Sequence, residues 1–92
     1  MAETSITSGV FTKKLTNGTW TVQSSWGLTE ISLVLTSGAA TINGNTYAAG
    51  EGSSAIDMVV NIPVTFVASS QYPLSGIVVT ASAGTVQIIA SK

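Results

Sequence analysis

Side chains able to do acid–base chemistry are few in this 92-residue chain. Histidine is absent, and the four carboxylates are scattered at Glu3, Glu30, Glu51 and Asp57. General acid–base catalysis needs a group poised near the working pH, commonly a histidine or two coupled carboxylates. Glu51 and Asp57 flank a short loop where a paired-carboxylate or weak calcium site could form. Their spacing matches no EF-hand or glycosidase signature, so we interpret them as charges that solubilise the loop.

The sequence also contains no motif for nucleophilic catalysis or for a metal site. A serine or threonine hydroxyl needs an adjacent base, and the three lysines, Lys13, Lys14 and Lys92, stand next to no such motif. The absence of cysteine removes disulfides and thiolate zinc sites, and no glycine-rich phosphate-binding loop occurs. We therefore predict a non-enzymatic protein with no cofactor, no metal site and no small-molecule substrate.

Charge is scarce throughout the chain. Charged residues make up 8% of it and the formal net charge is −1, whereas soluble domains carry about 25%. The lysines are too few to neutralise a phosphate backbone, and no run of about 18 apolar residues occurs, so neither nucleic acid nor membrane is an expected partner. The N-terminus lacks the pattern of a secretory signal, so we expect synthesis in a cytoplasm. Low charge and a mean hydropathy of +0.47 favour a subunit that is buried in an assembly.

The hydrophobic pattern has a period of two and predicts an all-β protein. Asn17-Gly18 and Asn43-Gly44 each lie between strand-like segments, which is the arrangement of a two-residue hairpin. Residues 28–36 are predicted to form a strand with Ile31, Leu33 and Leu35 on its buried face.

The second half of the chain continues this pattern. Residues 56–62 and 64–67 are predicted strands, and Pro63 between them indicates an edge strand or a bend. Residues 77–80 and 85–90 are predicted to form a hairpin through 82–84. About eight short strands in one domain, residues 1–92, fit a small antiparallel β-sandwich or barrel, jelly-roll-like in arrangement, with residues 1–9 as an extended arm.

Three aromatic residues outside the predicted core are candidates for partner binding. Trp20 alternates in phase with Val22 and is predicted to point inward. Trp26, Tyr47 and Tyr72 lie in or beside predicted turns. Trp26 and Tyr72 are each either a lid over the core or an exposed ring, and exposed rings serve as interface hot spots or as stacking platforms for sugars.

Two segments carry a resemblance to a known class of protein. The first segment, residues 38–52, has a predicted hairpin followed by an Ala-Gly-Glu turn. The second, residues 72–90, has a closing hairpin rich in isoleucine and valine. Together they resemble small structural proteins of bacteriophage virions. These include capsid decoration or cement proteins and head-associated β-proteins. The resemblance covers the C-terminal half and implies a homo-oligomer, most simply a trimer, that contacts itself and other capsid proteins in the virion. It assigns no site residue to this sequence.

Two other functions remain open at this point. A carbohydrate- or surface-binding module would use Trp26, Tyr47 or Tyr72 as its platform. A self-assembling filament subunit would pair its strands edge to edge.

Overall fold

The computed structural model describes residues 9–44, 54–69 and 74–92, and within these ranges the protein is all-β, as the sequence predicts. Six strands of the described residues form a single antiparallel sheet. Their bounds are β1 Val10–Thr16, β2 Thr19–Thr21, β3 Glu30–Asn43, β4 Ile56–Asp57, β5 Val64–Val67 and β6 Val78–Ser91. One 3-10 turn, Ser24–Trp26, connects β2 to β3. Most of the predicted N-terminal arm, residues 1–8, lies outside the described residues.

Two long strands form the centre of the sheet. The 14-residue strands β3 and β6 pair along their whole length, from Glu30 opposite Ser91 to Asn43 opposite Val78. On the other side of β6 lie β1 and then β2, and on the other side of β3 lie β5 and β4. The strand order is therefore β1-β6-β3-β5 in one half of the sheet, the β1–β5 half, and β2-β6-β3-β4 in the other, the β2–β4 half.

Both central strands bend at the same place. Gly38 and Gly84 pair there, and the β3–β6 register shifts on either side of Gly38, between Leu35 and Ser37 and between Ala39 and Thr41. Such irregularities bend a sheet and increase its local twist. The buried positions also change parity across the bend, from Ile31, Leu33 and Leu35 to Ala40 and Ile42 in β3, and from Val79 and Ala81 to Val86, Ile88 and Ala90 in β6.

The bend turns the buried faces of the two halves toward each other. Phe11 lies opposite Ala90 and Trp20 opposite Val79, so their attachment points on β6 are eleven positions apart. A straight strand would separate such points by about 36 Å. The Phe11 and Trp20 rings nevertheless lie only 6.1 Å apart, centroid to centroid. The sheet must therefore fold back over its own apolar face.

The hydrophobic core lies inside this fold. Ile31, Leu33 and Leu35 are buried as the sequence predicts, and Trp20 points inward with 5% of its surface exposed. One buried cluster draws residues from both halves of the sheet and from the connecting segments: Leu15, Trp20, Val22, Leu28, Ile31, Leu33, Leu35, Ala40, Ile42, Met58, Leu74, Ile77, Val79, Ala81, Val86, Ile88 and Ala90.

The predicted hairpin at Asn17-Gly18 is wrong. β1 and β2 do not pair with each other, because both lie along β6 one after the other. Asn17 interrupts the strand with a positive φ of 48°. Its N–H donates to the Gly84 carbonyl oxygen, and the Gly84 N–H donates to Asn17 Oδ1, each at 3.1 Å. At Asn17-Gly18 the strand that pairs with this side of β6 therefore changes from β1 to β2.

The predicted hairpin at 82–84 is also wrong, since β6 runs through Gly84 without reversing. In the same way β3 runs through Gly38 and joins the predicted strand 28–36 to the segment that follows it. These two mergers leave six strands in the described residues where the sequence pattern predicts about eight. The predicted hairpin at Asn43-Gly44 is wrong too, because it would pair residues 45–47 with 40–42, and Thr41 and Ile42 already lie between β6 and β4. Residues 45–53 themselves lie outside the described residues.

The segment 56–67 follows the edge of β3. β4 is shorter than predicted because the chain turns over residues 59–62, where Asn61 has φ 66° and the Val59 carbonyl accepts from the Ile62 N–H. After Pro63, β5 resumes the pairing with β3 and has no second neighbour among the described strands. Of the two alternatives predicted at Pro63, an edge strand or a bend, the described strands show the edge strand.

Candidate interaction surface

Residues 9–44, 54–69 and 74–92 contain five of the seven charged side chains of the chain. Within these ranges no three acidic, histidine or cysteine side chains come together as a metal-binding group. Glu51 lies outside the described residues, so the structure describes only Asp57 of the predicted carboxylate pair. No helix in the described part of the chain has the length and apolarity needed to cross a membrane. The features that remain are surfaces.

The described charges separate by sign across the sheet. Lys13 and Lys14 lie on β1, and Lys92 lies beside it, where its N–H donates to the Gly9 carbonyl oxygen at 2.9 Å. Glu30 lies on β3 next to β5, and Asp57 is on β4. All five are exposed. The basic residues therefore lie along β1, whereas the acidic ones lie on β3 and β4, toward the other side of the sheet.

The acidic side also carries most of the exposed apolar surface. Met58 is buried and Val64 and Phe66 pack against the core, which fixes the segment 56–67 on the sheet. Its other large side chains face solvent, at 40–69% exposure: Ile56, Val59, Val60, Ile62 and Val67. They are five of the eight large hydrophobic residues that are exposed in the described part. We call residues 56–67 the apolar edge.

The opposite edge combines apolar and basic residues. Val10 and Phe11 are exposed there, beside the lysines of β1. A cleft of about 460 Å³ opens at the end of this edge, lined by Gly9, Val10, Phe11, Ser25, Trp26, Leu28 and Lys92. We call β1 with Gly9 and Lys92 the basic edge. Its two consecutive lysines are the kind of charge that prevents a strand from pairing with an identical strand.

Trp26 is both a lid and part of this cleft. Its ring lies 5.7 Å from Trp20 and 6.3 Å from Phe11, centroid to centroid, and packs against the buried cluster. It remains partly exposed where it lines the cleft. The other two sequence candidates, Tyr47 and Tyr72, lie outside the described residues. The structure therefore brings Trp26 together with Phe11 and Trp20.

The outer face of the β1–β5 half is nearly neutral. Cross-strand pairing places Thr12, Ile89, Ser32 and Thr65 in one row across four strands. Ser32 and Thr65 hydroxyls hydrogen bond at 3.2 Å in that row. Hydroxyl pairs of this kind hold neighbouring strands together without adding charge.

The sequence patterns did not single out the apolar edge. Its alternation predicts a strand, in which every second residue is buried, but the turn at Asn61 leaves consecutive apolar residues in solvent. The signal in the sequence was the apolar run of residues 56–67, which contains a single charged residue, Asp57, and one proline, Pro63.

Comparisons of the chain with models of protein families, with curated proteins and with solved structures gave no match.

Proposed function

We propose that this chain is a non-enzymatic structural subunit that acts through contacts with its own copies and with other proteins. The observation that carries the proposal is the apolar edge, where five large hydrophobic side chains are exposed along one segment. Contiguous apolar surface of this kind marks interaction sites in soluble proteins. A subunit interface would remove it from water.

The neutrality of the remaining surface supports the same function. Charges that lose water at an interface cost free energy unless they are well paired, whereas threonine, serine and valine can be covered at little cost. The outer face of the β1–β5 half has such a composition, with Lys14 and Glu30 as its only charged residues. Large parts of the described surface could therefore be covered in an assembly.

We propose further that the folded sheet is a small sandwich-like or jelly-roll-like unit. The contact between Phe11 and Trp20 across the fold supports two facing layers. The shortest dimension of the molecule, 19 Å, also fits two sheet layers, whose spacing is about 10 Å.

The assembly in which we place this subunit is a bacteriophage virion, where it would decorate or cement the capsid or sit at a vertex, most simply as a homotrimer. Support for this part is the resemblance of residues 38–52 and 72–90 to virion structural proteins. Decoration proteins need stable contacts and no chemistry, which agrees with the scarcity of catalytic side chains in the sequence.

Native mass spectrometry across a dilution series from about 50 μM to about 0.5 μM tests the oligomeric part. We expect one closed species, a trimer, that persists on dilution. A monomer at every concentration would overturn the inference from low charge and the apolar edge.

The virion location needs a separate measurement. Particles purified on a density gradient from a lysate of the host that carries this gene should contain the chain at a fixed ratio to the major capsid protein. A chain that stays entirely in the soluble fraction would remove the virion from the proposal and leave the oligomer.

The cleft beside Trp26 favours one second candidate, a carbohydrate- or surface-binding module. Its volume of about 460 Å³ and its partly exposed indole suit a stacked sugar ring. Glycan-array binding that is lost in Trp26→Ala, with the oligomeric state unchanged, would support this function. If the chain binds no glycan on the array, the carbohydrate-binding function is contradicted.

A further inference from the structure

The two edges of the β1–β5 half run in opposite directions. Its four strands alternate, since each neighbouring pair is antiparallel, so β1 and β5 point opposite ways. If a second copy lies beside the first in the same orientation, its β1 meets β5 of the first as an antiparallel neighbour. The alternation of the sheet then continues across the boundary between the two copies.

The backbone groups at both edges are oriented for such pairing. The Ala68 N–H donates to the Thr29 carbonyl oxygen at 2.8 Å. Because hydrogen-bonding direction alternates along an antiparallel strand, the N–H and C=O groups of Thr65 and Val67 point away from β3.

The same reasoning applies to β1. Gly9 and Asn17 bond to β6 through their backbones, so the backbone groups of Val10, Thr12, Lys14 and Thr16 point outward. Neither edge has a second strand neighbour among the described residues.

The side chains of the two edges are complementary. The apolar edge carries no basic residue and has Asp57 at one end and Glu30 on the adjacent strand, whereas the basic edge carries Lys13 and Lys14. Lys14 and Glu30 point to the same outer face, because Leu15 and Ile31 point inward. In a continued sheet, Lys14 of the next copy and Glu30 would share one face with β5 between them.

Pairing of like edges is less favourable. Two basic edges would bring six lysines together, three from each copy, and two apolar edges would leave every basic edge uncovered. A head-to-tail contact covers the apolar edge of one copy with Val10, Phe11 and the lysine stems of the next. This asymmetry selects the second copy's basic edge as the occupant of the apolar edge.

We propose that copies of this chain associate head to tail, with β5 and the apolar edge of one copy pairing with β1 and the basic edge of the next. This inference rests on the proposed function, because it names the surfaces of the same self-association. Heterologous contacts of this kind close into rings when the rotation between copies allows it, and a trimer is the smallest such ring beyond a dimer.

The test removes one outward N–H from each edge. Val67→Pro blocks the apolar edge and Thr12→Pro the basic edge, and neither N–H serves the pairing within the copy. Val67→Thr and Thr12→Ala are the matched controls, since they alter the same side chains but keep the N–H. We expect native mass spectrometry to show monomers for both proline variants and the wild-type oligomer for both controls.

Mixing the two blocked variants identifies the geometry. Each retains the edge that the other lacks, so an equimolar mixture should form a one-to-one dimer and nothing larger. A dimer of Thr12→Pro alone would show two apolar edges paired about a two-fold axis and would overturn the head-to-tail arrangement.

A second pair of variants keeps the inference testable if a proline variant fails to fold. Lys14→Glu and Glu30→Lys change exposed side chains, and each alone should weaken association about twofold at low salt, because β5 separates the two charges. The double variant should recover the wild-type dissociation constant. A double variant that binds no more tightly than either single variant would contradict the placement of Lys14 and Glu30 on one shared face.

The outcomes separate this inference from the proposed function. A wild-type oligomer that survives both proline variants would place the interface elsewhere, overturning the inference while self-association stands. A wild-type chain that is monomeric at every concentration would overturn both.

Discussion

Gly38 and Gly84 lie directly opposite each other in the β3–β6 pair, and neither position has room for a Cβ atom. A Cβ atom at Gly38 would overlap the Ala83 carbonyl oxygen and lie 2.6 Å from the Gly84 Cα. A Cβ at Gly84 would overlap the Ser37 carbonyl oxygen. The two backbones approach this closely because both strands bend here, which folds the sheet over its core.

Gly38→Ala should therefore be strongly destabilising. Gly38 also has φ 80°, so an alanine would carry backbone strain in addition to the overlap with Ala83. We expect the free energy of unfolding to fall by about 3 kcal/mol or more, or the cooperative transition to disappear. Urea unfolding followed by circular dichroism, at one fixed protein concentration, measures this change.

Gly27→Ala is the matched control. Gly27 has φ 64°, but no heavy atom lies within 4 Å of the position that its Cβ would take. Only the strain of the left-handed conformation remains, at about 1 kcal/mol. Equal losses in the two variants would mean that the close approach of β3 and β6 does not matter.

Asn17 should contribute through its side chain as well as its backbone conformation. Asn17→Gly keeps the positive φ accessible but loses the hydrogen bond from the Gly84 N–H to Oδ1. It should cost about 1 kcal/mol. Asn17→Ala loses the bond and adds strain, so it should cost about 2 kcal/mol. The difference between the two urea midpoints tests this assignment, and an Asn17→Ala variant no less stable than Asn17→Gly would contradict it.

The bend at Gly38 and Gly84 shows which parts of the fold the sequence predicts and which it does not. The sequence marks Asn17 and Gly84 as turn formers, and the alternation around Ile31 predicts the buried face, but no pattern singles out Gly38. What the sequence could not show is which strand lies opposite each of them. A glycine or asparagine allows a hairpin, a bulge or a bend equally well, and only the long-range pairing of β3 with β6 decides between them.

The sequence predicts the low charge of the surface but not where its exposed apolar residues lie. Low charge indicated a buried subunit, yet the apolar edge arises because the turn at Asn61 interrupts the alternation of residues 56–67. Trp26 was identified as a lid or an anchor from its position after Ser24-Ser25. Its contacts with Phe11 and Trp20 depend on the fold of the sheet, which no local pattern encodes.

The fold of the sheet can be tested by the coupling between Phe11 and Trp20. Their rings stack at 6.1 Å with 10° between planes, and stacked aromatic pairs contribute about 0.5–1.5 kcal/mol beyond burial. A double-mutant cycle of Phe11→Leu and Trp20→Leu should return a coupling of this size. The same cycle with Phe11→Leu and Val34→Ala should be additive, because Val34 lies on the outer face of the central strand β3. Zero coupling for the aromatic pair would mean that the two halves do not face each other.

Adjacent residues of β6 should respond very differently to truncation. Ile88 is 1% exposed and Ile89 is 57% exposed, because the parity after the bend at Gly84 turns even-numbered residues inward. Ile88→Ala should lose about 2–5 kcal/mol of unfolding free energy through the cavity that it leaves. Ile89→Ala should change it by less than about 0.5 kcal/mol. Without the bulged bend, continuation of the Val79 and Ala81 pattern would bury Ile89 instead. A larger loss at Ile89 than at Ile88, in urea unfolding at one concentration, would therefore contradict the bend itself.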